Sequence, residues 1–217
     1  MQLPELMLDW FFPRRCVVCR IEGSWACLSC LQNAVKAVDQ QIEQFELEPG
    51  LQVNSLLPFE LQLVRELLHH LKYNGIYEVT DSFLELLMLS YPGEVIKQHF
   101  DPQAVIIPVP TSRERLRQRG YNQAALLAKT VGKWLDFPVN ESLLIRNASR
   151  TQVGKTAVER AANLTGSFSW KTDAFFEGPI ILFDDLCTTG STLRACAQVI
   201  RANTVSSLTI LSLARKH

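Results

Sequence analysis

The chain has 217 residues, 47% hydrophobic and 20% charged, with a formal net charge of zero. These values fit one principal domain plus a small appendage, with enough apolar residues for a full core. They exclude a global field that would draw the protein onto nucleic acid or anionic lipid, and no apolar run reaches the roughly 18 residues of a membrane span.

In chain order, residues 1–13 carry Leu3, Leu6, Met7 and Trp10 at amphipathic helical spacing, stopping at Pro13. Glu5 and Asp9 precede the basic pair Arg14-Arg15, which is not the order of a secretory signal. A cytoplasmic protein is the simplest expectation, and its six cysteines should then be reduced or metal-bound. Four of the six fall in fifteen residues, as Cys16-Val17-Val18-Cys19 and Cys27-Leu28-Ser29-Cys30. Two such knuckles supply four thiolates for a tetrahedral zinc, with Gly23 bending the chain between them. Two disulfides or a redox pair would use the same residues. A redox C-x-x-C is expected to open a helix after a strand, and neither copy is expected to do so. With four protein thiolates there is no open coordination position, so such a zinc is structural. Of the remaining cysteines, Cys196 reads as a small core residue, and Cys187 is given no chemistry.

Apolar residues at 31, 34, 35, 38, 42 and 45 predict a helix from Leu31 to Phe45. Pro49-Gly50 breaks that pattern, placing the boundary between a zinc module (1–50) and a main domain (51–217). Helices are expected over Phe59–Leu71 and Glu78–Tyr91. Strand and helix then alternate: a strand over Ala104–Val109, a helix within Arg113–Leu135, a short strand over Ser142–Ile145 and a short helix over 156–163. A central strand over Ile180–Phe183, a helix over Ser191–Ala202 and a strand over Ser207–Leu213 complete the chain. This alternation predicts an α/β fold, an open and mostly parallel sheet flanked by helices.

Ligands of such sheets bind at the carboxyl ends of the strands, and three loops there have unusual composition. Pro108-Val109-Pro110-Thr111-Ser112 is stiffened by two prolines, and awkward peptide geometry would be unsurprising there. It leads into Arg113–Arg119, four arginines in seven residues, which would suit a pyrophosphate or simply a solvated helix face. The second loop, Arg146 to Thr156, is polar and basic, as a lid over a polyphosphate would be. Its Gly154-Lys155-Thr156 is not the end of a nucleoside-triphosphate loop, because Ser149 stands where the first glycine belongs. The third loop is the most informative. The apolar run Ile180–Phe183 ends in Asp184-Asp185, followed by Thr188, Thr189, Gly190, Ser191 and Thr192 at a helix start. Helix-start N–H groups and hydroxyls suit a phosphate dianion, and Gly190 permits close approach. The two carboxylates repel that phosphate and suit neighbouring sugar hydroxyls or a magnesium ion. The pattern points to a ribose 5-phosphate. His69 and His70 sit at a helix end, where the dipole favours them, and have no ligand pattern.

The D-D-x-x-T-T-G-x-T segment resembles the phosphoribosyl-pyrophosphate (PRPP) motif of type I phosphoribosyltransferases. Together with the knuckles, L-K-Y-x-G at Leu71–Gly75, P-V-P…R-G-Y-N-Q at Pro108–Gln123 and R-T-Q…N at Arg150–Asn163, it makes nearly the whole chain similar to the ComF/GntX family, of the ComFC competence type. That resemblance implies a type I phosphoribosyltransferase fold and a zinc-binding N-terminus holding Zn2+ on Cys16, Cys19, Cys27 and Cys30. It implies that Asp184 and Asp185 face ribose as the catalytic pair and that Thr188 to Thr192 bind the 5′-phosphate. Pro108, Val109, Pro110, Thr111 and Ser112 would form the pyrophosphate loop, and Arg150 and Lys155 the lid, with Mg2+ accompanying PRPP. Lys72, Tyr73, Arg119, Asn122 and Gln123 match the family pattern without an assigned role. The implied biology is DNA uptake in natural transformation, with a competence helicase and single-stranded DNA as partners. Two functions are consistent with these residues: a Mg2+-dependent phosphoribosyltransferase, or a non-catalytic nucleotide- or single-stranded-DNA-binding adaptor that docks a helicase through its zinc module.

Overall fold

The structure, a computed structural model, describes residues 13–39, 41–147, 166–171 and 176–217. The expected helices over 1–13 and 156–163, and the lid residues Arg150 and Lys155, lie outside the described residues.

The central sheet has the order β1-β2-β7-β6-β3, formed by β1 (Glu43–Glu48), β2 (Leu51–Pro58), β3 (Val105–Pro108), β6 (Ile180–Cys187) and β7 (Leu208–Arg215). Only β1 and β2 are antiparallel; β2–β7, β7–β6 and β6–β3 run parallel, as the alternation of elements required. A small antiparallel pair, β4 (Leu144–Arg146) and β5 (Phe168–Trp170), lies apart from it. Successive strand residues face opposite sides, so each apolar run feeds two cores. Ile106, Ile181, Phe183, Leu211 and Leu213 pack with α1 (Leu28–Ala37), α2 (Gln62–His69), α3 (Val79–Ser90) and α6 (Gln123–Leu135). Ile107, Ile180, Leu182 and Ile210 pack with β4, β5 and α7 (Ser191–Asn203). Among the described residues no helix is long and apolar enough to cross a membrane.

Several sequence expectations are corrected. The helix predicted over Leu31–Phe45 ends at Ala37, and Glu43–Glu48 is a strand, with alternate residues turned to the sheet. Phe45 and Leu47 fit either a helical or a two-residue period; pairing with β2 decides for the strand. Pro49-Gly50 is therefore the turn of a hairpin, with Gly50 at φ 74°, and both arms belong to the sheet. The module before it shares the main core: Val17, Ala26, Leu31 and Ala34 are buried in the same cluster as Leu63, Leu67 and Phe83. The helical region 113–135 is two helices, α5 (Arg113–Arg119) and α6, separated where Gly120 adopts φ 84°. Helix α2 passes into a π-helical turn, His70–Asn74, closed by Gly75 at φ 69°; α4 (Gly93–Lys97) precedes β3. Cys187, at the end of β6, and Cys196, on the inner face of α7, are both buried in the same core.

Candidate functional site

Strand β6 outlasts its neighbour. Beyond the Pro108–Phe183 pair β3 ends, while β6 continues against β7 through Cys187. Asp184 and Asp185 thus stand inside a strand, on a ledge whose β3 side is open, rather than at the strand end the sequence suggested. Over that ledge lies a cavity of about 290 Å³. Its walls bring together Asp184, Asp185, Thr188 and Thr192 with Val109, Pro110 and Thr111 from the end of β3. Pro108 lies in β3 itself, and Ser112 caps α5, its hydroxyl accepting from the Arg115 amide at 3.2 Å. No cis peptide bond is present among the described residues.

The two carboxylates differ. Asp185 pairs with Lys72 Nζ, which the π-helical turn delivers to the cavity. Burial, reinforced by the adjoining Asp185 carboxylate, pushes Asp184 well above the usual carboxylate range. Its Oδ1 accepts from the Asp185 amide at 2.9 Å. Facing them, Arg115, Arg119 and Arg146 line the same cavity, and the Arg146 guanidinium lies over the Phe168 ring at 5.1 Å. Burial and the nearby Arg115 lower the Arg146 guanidinium from its ordinary value. Two carboxyl groups, one of them disfavoured as an anion by burial, lie against four cationic side chains and leave an excess of positive charge, which suits a polyanionic ligand carrying hydroxyls.

The loop after β6 makes a recess of about 30 Å³ lined by Thr188, Gly190, Ser191 and Thr192. Thr189 and Ser191 hydroxyls meet at 3.0 Å, and Gly190 turns at φ 70° as the N-cap of α7, with no side chain capping the helix. Arg194 fixes this loop from behind, donating to Thr189 O at 2.8 Å and to Leu47 O of β1 at 2.9 Å. A Cβ on Gly190 would run into the Leu47 side chain. The recess offers free N–H donors at a 13-residue helix start, the arrangement that accepts a phosphate.

The sequence pattern identified the ledge and the loop but left Lys72, Tyr73, Arg119, Asn122 and Gln123 without roles; all five line the cavity. Arg115 and Arg146 join them, while Arg113 and Arg117 do not. The arginine run could not be divided from sequence, because its helix ends within seven residues and only two of its side chains turn inward. Beside the cavity is a hollow of about 490 Å³, sharing Lys72, Tyr73 and Leu186 and otherwise bounded by Phe59, Leu68, His69, Arg65 and Glu66.

The four cysteines also converge. Their Sγ atoms all lie within 4.8 Å of one another, with Cys19 and Cys27 at 3.4 Å. Tetrahedral zinc–thiolate bonds of about 2.3 Å space the sulfurs by about 3.8 Å, so the cluster could hold such an ion. Although burial opposes it, amides of Cys19, Cys27 and Val18 bring the Cys16 thiol down to about 6, whereas burial and the neighbouring thiols push Cys30 up. A dication relieves that conflict by holding all four as thiolates. The second C-x-x-C opens a helix, Cys27 being the N-cap of α1, but it does not follow a strand; the residues before it form a bend.

No family model matches the chain. Among characterised proteins it is similar to competence protein F of Haemophilus influenzae, with 27% identity over 226 aligned residues covering 94% of this chain and 98% of that protein. It is 33% identical to competence protein ComFC of Bacillus subtilis over 69% of this chain, spanning 60% of ComFC. It is 28% identical to the DNA utilization protein YhgH of Escherichia coli K12, spanning 66% of that protein. Solved structures similar to it include orotate phosphoribosyltransferase from Aeropyrum pernix (22% identity, TM-score 0.38, covering 87% of this chain and 81% of that one). Adenine phosphoribosyltransferase from Trypanosoma brucei is another (10% identity, TM-score 0.42, covering 81% and 87%).

Proposed function

We propose that this chain, similar over nearly its whole length to competence protein F and over part of it to ComFC, is a member of the ComF/GntX family, binds PRPP or a related ribose 5-phosphate and acts in DNA uptake for natural transformation. One observation carries the reading: a paired-carboxylate ledge and an uncapped helix start open onto one cavity rimmed by Lys72, Arg115, Arg119 and Arg146. Thr188 to Thr192 receive the 5′-phosphate, and Asp184 and Asp185 hold the ribose hydroxyls, Lys72 leaving Asp185 as the sugar enters. Pro110 to Ser112 and the arginines meet the anion at C1, with Arg150 and Lys155 closing over it. Magnesium accompanies the diphosphate and offsets its charge. An acceptor for transfer enters by the hollow between Phe59 and Tyr73. In the cysteine module the ion is zinc, serving structure alone.

A second reading has a specific support. Arg113 and Arg117 are exposed outside the cavity on the helix that sends Arg115 and Arg119 into it. A single strand of DNA could follow that row of cations without turnover, with a helicase held by the zinc module.

Calorimetry tests the reading. Wild-type protein is expected to bind PRPP in a magnesium-dependent way, and the Asp184→Ala/Asp185→Ala variant to lose it. Absence of PRPP binding by the wild type, with an oligodeoxynucleotide bound equally by both proteins, would favour the adaptor. The same variant in a transformation assay reports whether the cavity matters to uptake; undiminished transformation at normal protein level removes it from that process.

A further inference from the structure

Helix α6 starts against the cavity, with Asn122, Gln123 and Ala124 on its wall. Its first turn is withdrawn from solvent: Gln123 is 5%, Ala124 3% and Ala125 3% exposed. A helix start leaves N–H groups that the helix cannot satisfy. The N-cap Asn122 is a residue type suited to accept them, yet it makes no cap; its amide nitrogen donates to Val109 O at 3.0 Å instead. The first bond of the helix is Leu126 N to Asn122 O, leaving the N–H groups of 123 to 125 without acceptors. Beside them the Gln123 Nε2 is buried and has no hydrogen-bond partner. Helix α5 shows the ordinary alternative, its start closed by the Ser112 hydroxyl. Each buried donor left without an acceptor keeps the full cost of its lost hydration, so several gathered at one cavity wall call for an acceptor from outside. Arg115 and Arg119 on the same cavity make that acceptor an anion.

We propose that the first turn of α6, with the Gln123 carboxamide, is an anion subsite for the phosphate oxygens of a diphosphate, separate from the β6–α7 loop. It rests on the reading that the cavity takes a phosphorylated ribose, and it adds which residues receive the second anion. Two uncapped 13-residue helices then open on one cavity, one for each charged end of the ligand. The subsite lies one helix beyond the proline loop Pro108–Ser112, to which the family resemblance points.

The test titrates inorganic pyrophosphate, ribose 5-phosphate and PRPP, each with magnesium, into wild type, Gln123→Met and Gln123→Glu. A hydrogen bond to a charged group predicts that Gln123→Met weakens pyrophosphate and PRPP about tenfold or more while ribose 5-phosphate changes less than about twofold. Its melting temperature should not fall, since an unsatisfied buried donor is removed. Gln123→Glu should weaken pyrophosphate further, and a carboxylate at a helix start keeps the fold, so it decides the matter if the methionine variant does not fold. Unchanged pyrophosphate affinity in the variants, or an equal loss for ribose 5-phosphate, overturns the subsite. A wild type that takes pyrophosphate but neither sugar ligand sinks the ribose reading and leaves the Gln123 comparison to decide the subsite on its own.

Discussion

Gly190 and Asp184 carry opposite demands at the site. Gly190 holds a left-handed φ and lies against Leu47, so both backbone and space forbid a side chain. Gly190→Ala should cost at least about 1–2 kcal/mol in urea unfolding from the backbone alone. Leu47→Ala in the same background should recover part of any excess, because it opens the space that the new Cβ needs. Asp184 shows strain of an electrostatic kind. Its folded-state carboxyl is raised by burial and by Asp185, so ionising it opposes folding. That cost is absent below the unfolded value of about 3.9 and grows as pH rises toward the raised value. Asp184→Asn is therefore expected to raise the melting temperature at pH 7, with the advantage shrinking as pH falls toward 4, and to weaken PRPP binding. Equal melting temperatures of variant and wild type at pH 7 would contradict it.

At the scale of elements, the sequence was most legible where one period ruled. The runs at 104–109 and 180–183 feed both faces of the sheet, and continuous apolar residues announce that directly. Glu43–Glu48 was misread because two alternating apolar residues also fit the end of a helical stripe, and only the distant partner β2 resolves them. The extension of β6 through Asp184 and Asp185 was equally hidden. Two charges look like the end of a strand until Asp184 is seen paired with Ser212 and, beyond Asp185, Leu186 with Ala214. The site followed the same rule. Its loops were readable as motifs, whereas Arg115, Arg146 and Gln123 became members only through the placement of α5, β4 and α6 around one cavity. The cysteine module was legible by spacing, and its acid sensitivity follows from chemistry. Protons compete with the metal for four thiolates, so zinc should be retained at pH 7.5 and released on acidification toward pH 5, as metal analysis after desalting would record.

For the molecule as a whole, the decisive fact is that the buried apolar side chains described in the cysteine module lie in the main core. Val17, Ala26 and Leu31 are buried with Leu63, Leu67 and Phe83, and α1 lies against α3. Chelating the metal is thus expected to lower the thermal midpoint of the entire protein in a single transition rather than to shed a separate early one. Calorimetric traces with two resolved transitions, only the first moved by chelator, would show instead that the module melts independently.

Arg194 ties together segments far apart in sequence, binding Thr189 O and Leu47 O with one guanidinium. The outermost strand of the sheet and the turn ahead of α7 are therefore fastened by the same group, and the turn cannot shift freely without disturbing that strand. In hydrogen-exchange terms, slowed exchange in the β6–α7 turn on ligand binding should be accompanied by slowed exchange along Glu43–Glu48. The edge strand would then report on occupancy from a place no ligand touches.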